Sequence, residues 1–164
     1  MKIRFLSAAL LALSLFAIPA LAQDAPAVVT AGSLEISGAF TRATLPNAPV
    51  AGGYFTIVNK GAEDDTLVSV TTPAAGTSQL HEMSMQGDVM KMAALPDGIP
   101  VPAGQTVTLK PDGLHIMFMQ LTQAFVEGTN VPVTLTFAKA GTVTVNLAVG
   151  SVGAKAPNMA GMKM

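Results

Sequence analysis

The 164-residue sequence predicts an all-β protein built as an antiparallel sandwich or barrel. Three observations lead there. Several segments alternate apolar and polar residues with period two, the mark of a half-buried strand. Gly, Pro and Asp signals separate these segments at short, regular intervals. No stretch of twelve or more residues carries a helical period, and no internal repeat or second domain is visible.

The elements follow in chain order. "MKIRFLSAALLALSLFAIPALA" has Lys2 and Arg4, an apolar run from Phe5 to Ile18, then Ala20-Leu21-Ala22. That is the layout of a secretory signal over residues 1–22, cleaved after Ala22. An uncleaved anchor is the alternative, but the run is short of the ~20 apolar residues a membrane span needs. "QDAPAVVTAG", residues 23–32, reads as a loose leader. The domain then extends over residues 33–151. "YFTIVN", "TLVSVTT" and "QTVTLK" are β-branched or aromatic and end in turn residues. Asp64-Asp65 reads as a solvated turn beside the second of these. "KPDG", Lys110 to Gly113, is a turn before the strand "LHIMFMQL". In "VPVTLTF", Val131, Val133, Leu135 and Phe137 share one face. In "TVTVNLAV", Val143, Val145, Leu147 and Val149 do the same, and "AKAG", Ala138 to Gly141, joins the two as a hairpin. Residues 152–164 lack alternation and read as a mobile tail.

Charge and composition narrow the function. Cleavage after Ala22 removes Lys2 and Arg4, takes the formal net charge from −1 to −3 and leaves 142 residues, enough for one domain with a sizeable core. Mild acidity argues against nucleic acid and anionic membranes as partners, and the expected form is a soluble monomer. The sequence holds no cysteine, so packing alone holds the fold and no lipid-bearing cysteine exists.

The softest side chains gather around the imidazoles. "HEMSMQGDVMKM", His81 to Met92, holds four of the ten methionines and one of the two histidines. The other histidine opens "HIMFM", His115 to Met119. Strand parity puts His81, Met83 and Met85 on one face, and Met90 and Met92 on one face. A two-residue loop at Gln86-Gly87 would set His81 opposite Met92 and Met83 opposite Met90. In "LHIMFMQL", Leu114, Ile116 and Phe118 suit the core, while His115, Met117 and Met119 face the other way. Imidazole with thioether is a soft, neutral donor set that selects Cu(I), whereas carboxylate sites suit Mg, Ca or Mn. Zinc would want thiolates, three histidines or a carboxylate, and blue copper needs a cysteine. A methionine stripe is also an ordinary core filler, and that reading stays open here. Both histidines lie in the cluster, which leaves no catalytic triad to assemble and points to a binding protein, not an enzyme. Coordinating imidazoles must be neutral, so protons compete with a metal near pH ~6.5.

These residues carry a resemblance. His81, ten intervening residues, Met92, twenty-two residues, then His115-Ile116-Met117 is similar to the motif of the periplasmic copper chaperones called PCu(A)C. "FTRAT", "AGGYFTIVNKG", "DDTLVSVTTPAA", "VPAGQTVTLKPDGLHIMFMQL" and "EGTNVPVTLTF" resemble the family as well, so the likeness spans Leu34 to Val149. It implies a cupredoxin-like β-sandwich binding Cu(I) through His81, Met92, His115 and Met117. It also implies a periplasmic metallochaperone that delivers copper toward the CuA centre of a cytochrome oxidase or another periplasmic copper protein. Storage or buffering of copper without a dedicated acceptor is the alternative. Some relatives carry a His- and Met-rich extension. Here the tail has Met159, Met162 and Met164 but no histidine, and a second copper site there stays open.

Overall fold

The computed structural model describes residues 28–157. The signal segment, most of the leader, and Met159, Met162 and Met164 lie outside the described residues. Eleven strands run in order: β1 (Val29–Ala31), β2 (Leu34–Arg42), β3 (Val50–Asn59), β4 (Asp65–Thr71), β5 (Ala75–Gln86), β6 (Val89–Ala94), β7 (Ile99–Val101), β8 (Thr106–Leu109), β9 (Leu114–Leu121), β10 (Asn130–Phe137) and β11 (Gly141–Gly150). They form one path, β6-β5-β9-β3-β2-β11-β10-β4-β7, with β1 added to β2 and β8 to β3. This is the all-β fold that the alternation predicts, and its cupredoxin-like architecture is the one that the resemblance implies. Every pairing is antiparallel except that of β2 with β11. Asn59 at the end of β3 donates to the Val101 carbonyl of β7 at 3.0 Å, which draws the two limbs of the sheet together around the core.

The period-two faces are the faces that pack. Val131, Val133, Leu135 and Phe137 of β10, with Val145, Leu147 and Val149 of β11, are buried. From β9, Ile116 and Phe118 are fully buried, and Phe118 meets Phe125 edge-on with ring centroids 6.0 Å apart. Each such side chain contributes about 1.5–3 kcal/mol relative to exposure. None of this depends on a metal.

Four expectations need correction. Val29–Ala31, placed in the leader, form β1 and pair with Leu34–Ile36. Part of the tail is also held: the Ala154 carbonyl accepts a hydrogen bond from Arg42 Nε at 2.7 Å. The β5–β6 loop is Gly87-Asp88, not Gln86-Gly87, so His81 stands opposite Ala94, Met83 opposite Met92, and Met85 opposite Met90. The reason is local. Gly87 has φ +65°, and the two-residue turn that takes glycine in its first central position puts Gly87 first. The shift moves partners by two positions in register, so it preserves which side chains share a face.

Asp65 is the fourth. It is buried at the start of β4. Its carboxylate accepts from the backbone N–H groups of Thr66 (2.7 Å), Lys139 (2.9 Å) and Ala140 (2.8 Å). It therefore clamps the β10–β11 loop to β4. Burial pushes its carboxyl up, but these three donors and the nearby Lys139 outweigh it, and its pKa lies below the usual carboxylate value. A sequence scan sees two adjacent acids and no partner for either, because two of the three donors, Lys139 and Ala140, sit over seventy residues away.

Asp65→Ala should lower the free energy of unfolding by roughly 1–3 kcal/mol at neutral pH, since three buried donors lose their acceptor. Because the folded pKa is depressed, the stabilisation is present above the unfolded value near ~3.9 and is lost as pH falls through the folded one. Urea unfolding at neutral and acid pH measures both. Equal stability of wild type and variant at pH 7 would refute the clamp.

Candidate functional site

The site begins with the pairing of β5 and β9. Their register sets His81 directly opposite His115 and Gln79 opposite Met117. Opposed residues share a face, and the imidazole ring centroids lie 5.8 Å apart, tilted by 58°. Leu80 and Ile116, one residue along, point the other way into the core. The buried face of each strand thus anchors the histidines on its opposite face.

A turn and a glycine complete the support. Lys110–Gly113 closes with the Gly113 N–H donating to the Lys110 carbonyl at 3.2 Å. Asp112 takes φ +66° there, a conformation Asp tolerates better than most residues. The turn delivers the Gly113 carbonyl, which accepts from His115 Nδ1 at 2.9 Å and from the Met83 backbone N–H at 3.1 Å. With Nδ1 donating, His115 presents the lone pair of Nε2. On β3, Gly52 stands opposite Met117. A Cβ at Gly52 would collide with the Tyr54 hydroxyl.

A cleft of about 320 Å³ opens over this face. Met83, Met92, His115 and Met117 line it, together with Tyr54, Arg42, Thr44 and Val152. The Arg42 guanidinium lies 5.7 Å from the Tyr54 ring centroid. Burial raises the Tyr54 phenol, with Arg42 opposing and Asp112 reinforcing the shift, so it is neutral at physiological pH. Among the described residues no carboxylate lines the cleft. Among the described residues no three His, Cys, Asp or Glu side chains converge to hold a metal. What converges is imidazole and thioether.

His81 has two distinct nitrogens. Gln79 Oε1 lies 2.9 Å from Nε2 and accepts its proton in the neutral tautomer. Among the described residues, His81 Nδ1 is the one buried side-chain nitrogen or oxygen with no hydrogen-bond partner. A buried lone pair without a donor is unfavourable unless something electrophilic meets it. Burial first, and the neighbouring His115 second, lower the His81 pKa below its usual value.

The structure thus brings His115, Met117 and Met92 to one cleft, with His81 tilted beside His115 but outside the cleft lining. It adds Met83, which now faces Met92, and Gln79, which holds His81. Parity along β5 puts residues 79, 81 and 83 on one face and was available from sequence. The hydrogen bond of Gln79 was not, because it depends on side-chain orientation.

Residues 34–149 match the family described as "Putative lipoprotein LpqE-like". The chain belongs to this LpqE-like family. A putative lipoprotein of Leifsonia xyli, Lxx21020, is 30% identical over 115 residues, covering 70% of this chain and 68% of the relative. The copper-bound PCuAC domain of PmoF2 superposes with a TM-score of 0.65 at 26% identity, covering 76% of the LpqE-like chain and 98% of the domain. The solution structure of CuI-DR1885 from Deinococcus radiodurans gives 0.57 at 28% identity, covering 85% of each chain. Bacterial lipoproteins are anchored through a modified cysteine, and this LpqE-like sequence has none.

Two predictions follow from the imidazole geometry. The His81 ring should titrate below pH ~6.5. Between that value and its lowered one the folded state stays neutral while the unfolded chain protonates, so apoprotein loses stability as pH falls through this window. NMR titration of the ring protons tests it, and a pKa at or above the usual value would refute it. Gln79→Ala should weaken binding of a soft monovalent cation by about tenfold, since partners of ligating histidines carry effects of 10–100-fold. Unchanged affinity by chelator competition would show that Gln79 does not position the ring.

Proposed function

We propose that this chain is a carrier of Cu(I), with copper as its cargo, and that it belongs to the exported copper-handling machinery of the periplasm. His81, Met92, His115 and Met117 hold the ion, and Met83 stands next to Met92 as a fifth soft donor. The observation that carries this reading is the direct cross-strand pairing of both histidines beside an open, carboxylate-free cleft walled by thioethers. The unpartnered Nδ1 of His81 fits the same reading. So do the printed titles of two solved structures of this fold, one copper-bound and one with copper in the Cu(I) state.

The physical chemistry suits a carrier. Neutral donors impose no charge change on a monovalent ion, and thioethers bind Cu(I) while resisting the oxidation that would convert thiols to disulfides. The cleft is open, so a partner's ligands can replace these one at a time. The core packs without metal, so loading and release need no unfolding. Thiolates outcompete thioethers for Cu(I), which favours passage to a dithiol such as the CuA centre of a cytochrome oxidase. Description of the family and of the Leifsonia relative as lipoproteins supports export, in keeping with a signal over residues 1–22.

One Cu(I) should bind per chain. His81→Ala and His115→Ala should each weaken it at least tenfold, and Met119→Ala, whose side chain does not line the cleft, by less than threefold. Competition against a Cu(I) chelator decides this, and wild-type affinity in both histidine variants would sink the site. Cu(I)-loaded protein mixed with a reduced soluble CuA domain should give up its copper. Retention under excess acceptor would favour storage instead.

A further inference from the structure

Four methionines lie on the β5–β6 hairpin, and burial does not account for them. Met85, Met90 and Met92 are 61%, 52% and 50% exposed. Methionine normally fills irregular cores, yet this hairpin has no core beneath it. Pairing of β5 with β9 ends at Glu82–Leu114. Beyond that point one bond, from the Met83 N–H to the Gly113 carbonyl, still ties β5 to the neighbouring turn; from Ser84 on, β5 pairs only with β6, and all six residues of β6 are exposed. The hairpin is a free two-stranded ribbon whose one face carries thioethers.

Their register is specific. Met85 stands opposite Met90 and Met83 opposite Met92, with His81–His115 the next level down. Opposed side chains have Cβ atoms about 5 Å apart, close enough for both sulfurs of a pair to grip one ion. Successive levels on one face are about 6.5 Å apart along the strand. Along β5 exposure falls from the tip inward, from open Met85 to half-buried Met83; on β6 Met90 and Met92 are both open, and on β9 His115 is 7% exposed.

We propose that the Met85–Met90 pair is a capture site for soft d10 monovalent cations, feeding the Met83–Met92 pair and then the histidine site. An incoming Cu(I) or Ag(I) sheds its weak solution ligands, gains two thioethers, and later exchanges them for the next pair without change of charge or oxidation state. A site of two flexible thioethers at a ribbon tip binds weakly and exchanges fast, which suits entry. The histidine site, pre-oriented by Gln79 and Gly113, holds more tightly. The final step rests on the carrier reading, while capture at the tip does not.

Silver(I) is a redox-inert probe for both levels. Silver nitrate is titrated into purified protein carrying 13C-methyl methionine, with the Met85 and Met90 methyl signals assigned by single Met→Leu variants. Both signals should shift between one and two equivalents. In Met85→Leu/Met90→Leu, which changes only exposed side chains, these responses vanish, first-equivalent affinity stays within threefold, and loading of the inner site slows about tenfold by stopped flow. Methyl signals unmoved at two equivalents, or a loading rate within twofold of wild type, would overturn the proposal. If the histidine ring signals ignore the first equivalent while the tip methyls respond, the carrier site fails and the capture site stands. The reverse pattern removes the capture site and leaves the carrier.

Discussion

The β5–β9 ladder is the constraint on which the candidate site depends. It sets His81 against His115 across thirty-three intervening residues. Leu80 and Ile116 lock it from the core side. A slip of either strand by one residue would turn its own imidazole into the core and its own Leu80 or Ile116 into solvent, so the two histidines would no longer share a face. The apolar core is thus what holds the two histidines in register, and the register is what makes them one site.

The histidines are held differently, and the difference matches their positions. His115 is buried and tied to a backbone carbonyl that the Lys110–Gly113 turn fixes in place. His81 is tied to the side chain of Gln79. One imidazole is therefore anchored on backbone and the other on a side chain with rotamer freedom of its own. The proposed carriage of Cu(I) would use such a mixture, because a fully rigid set would release the ion slowly and a fully flexible one would hold it poorly.

The far end of the molecule is organised by another principle. There the Asp65 carboxylate gathers backbone donors from β4 and the β10–β11 loop, and Asn59 satisfies all of its amide groups between Glu63, Val101 and Gly61. These buried polar contacts join limbs of the sheet that are remote in sequence. The acids Glu63, Asp64 and Asp65 form no metal cluster with one another.

Much of this was legible in the chain itself. Alternation in "VPVTLTF" and "TVTVNLAV" determines strands and their buried faces, because a two-residue period admits no helix. The split of "LHIMFMQL" into Leu114, Ile116 and Phe118 against His115, Met117 and Met119 follows from the same parity. The donor chemistry follows from residue type, since a chain without cysteine that concentrates His and Met can offer only imidazole and thioether. Only the tertiary structure decided the rest. The hairpin register turned on which loop position needs a positive φ, and Gly87 took the first. The pairing of His81 with His115, the Gln79 contact and the burial of Asp65 all join residues through strand order and side-chain orientation. Local pattern carries no information about either, because many strand orders bury the same alternating faces equally well.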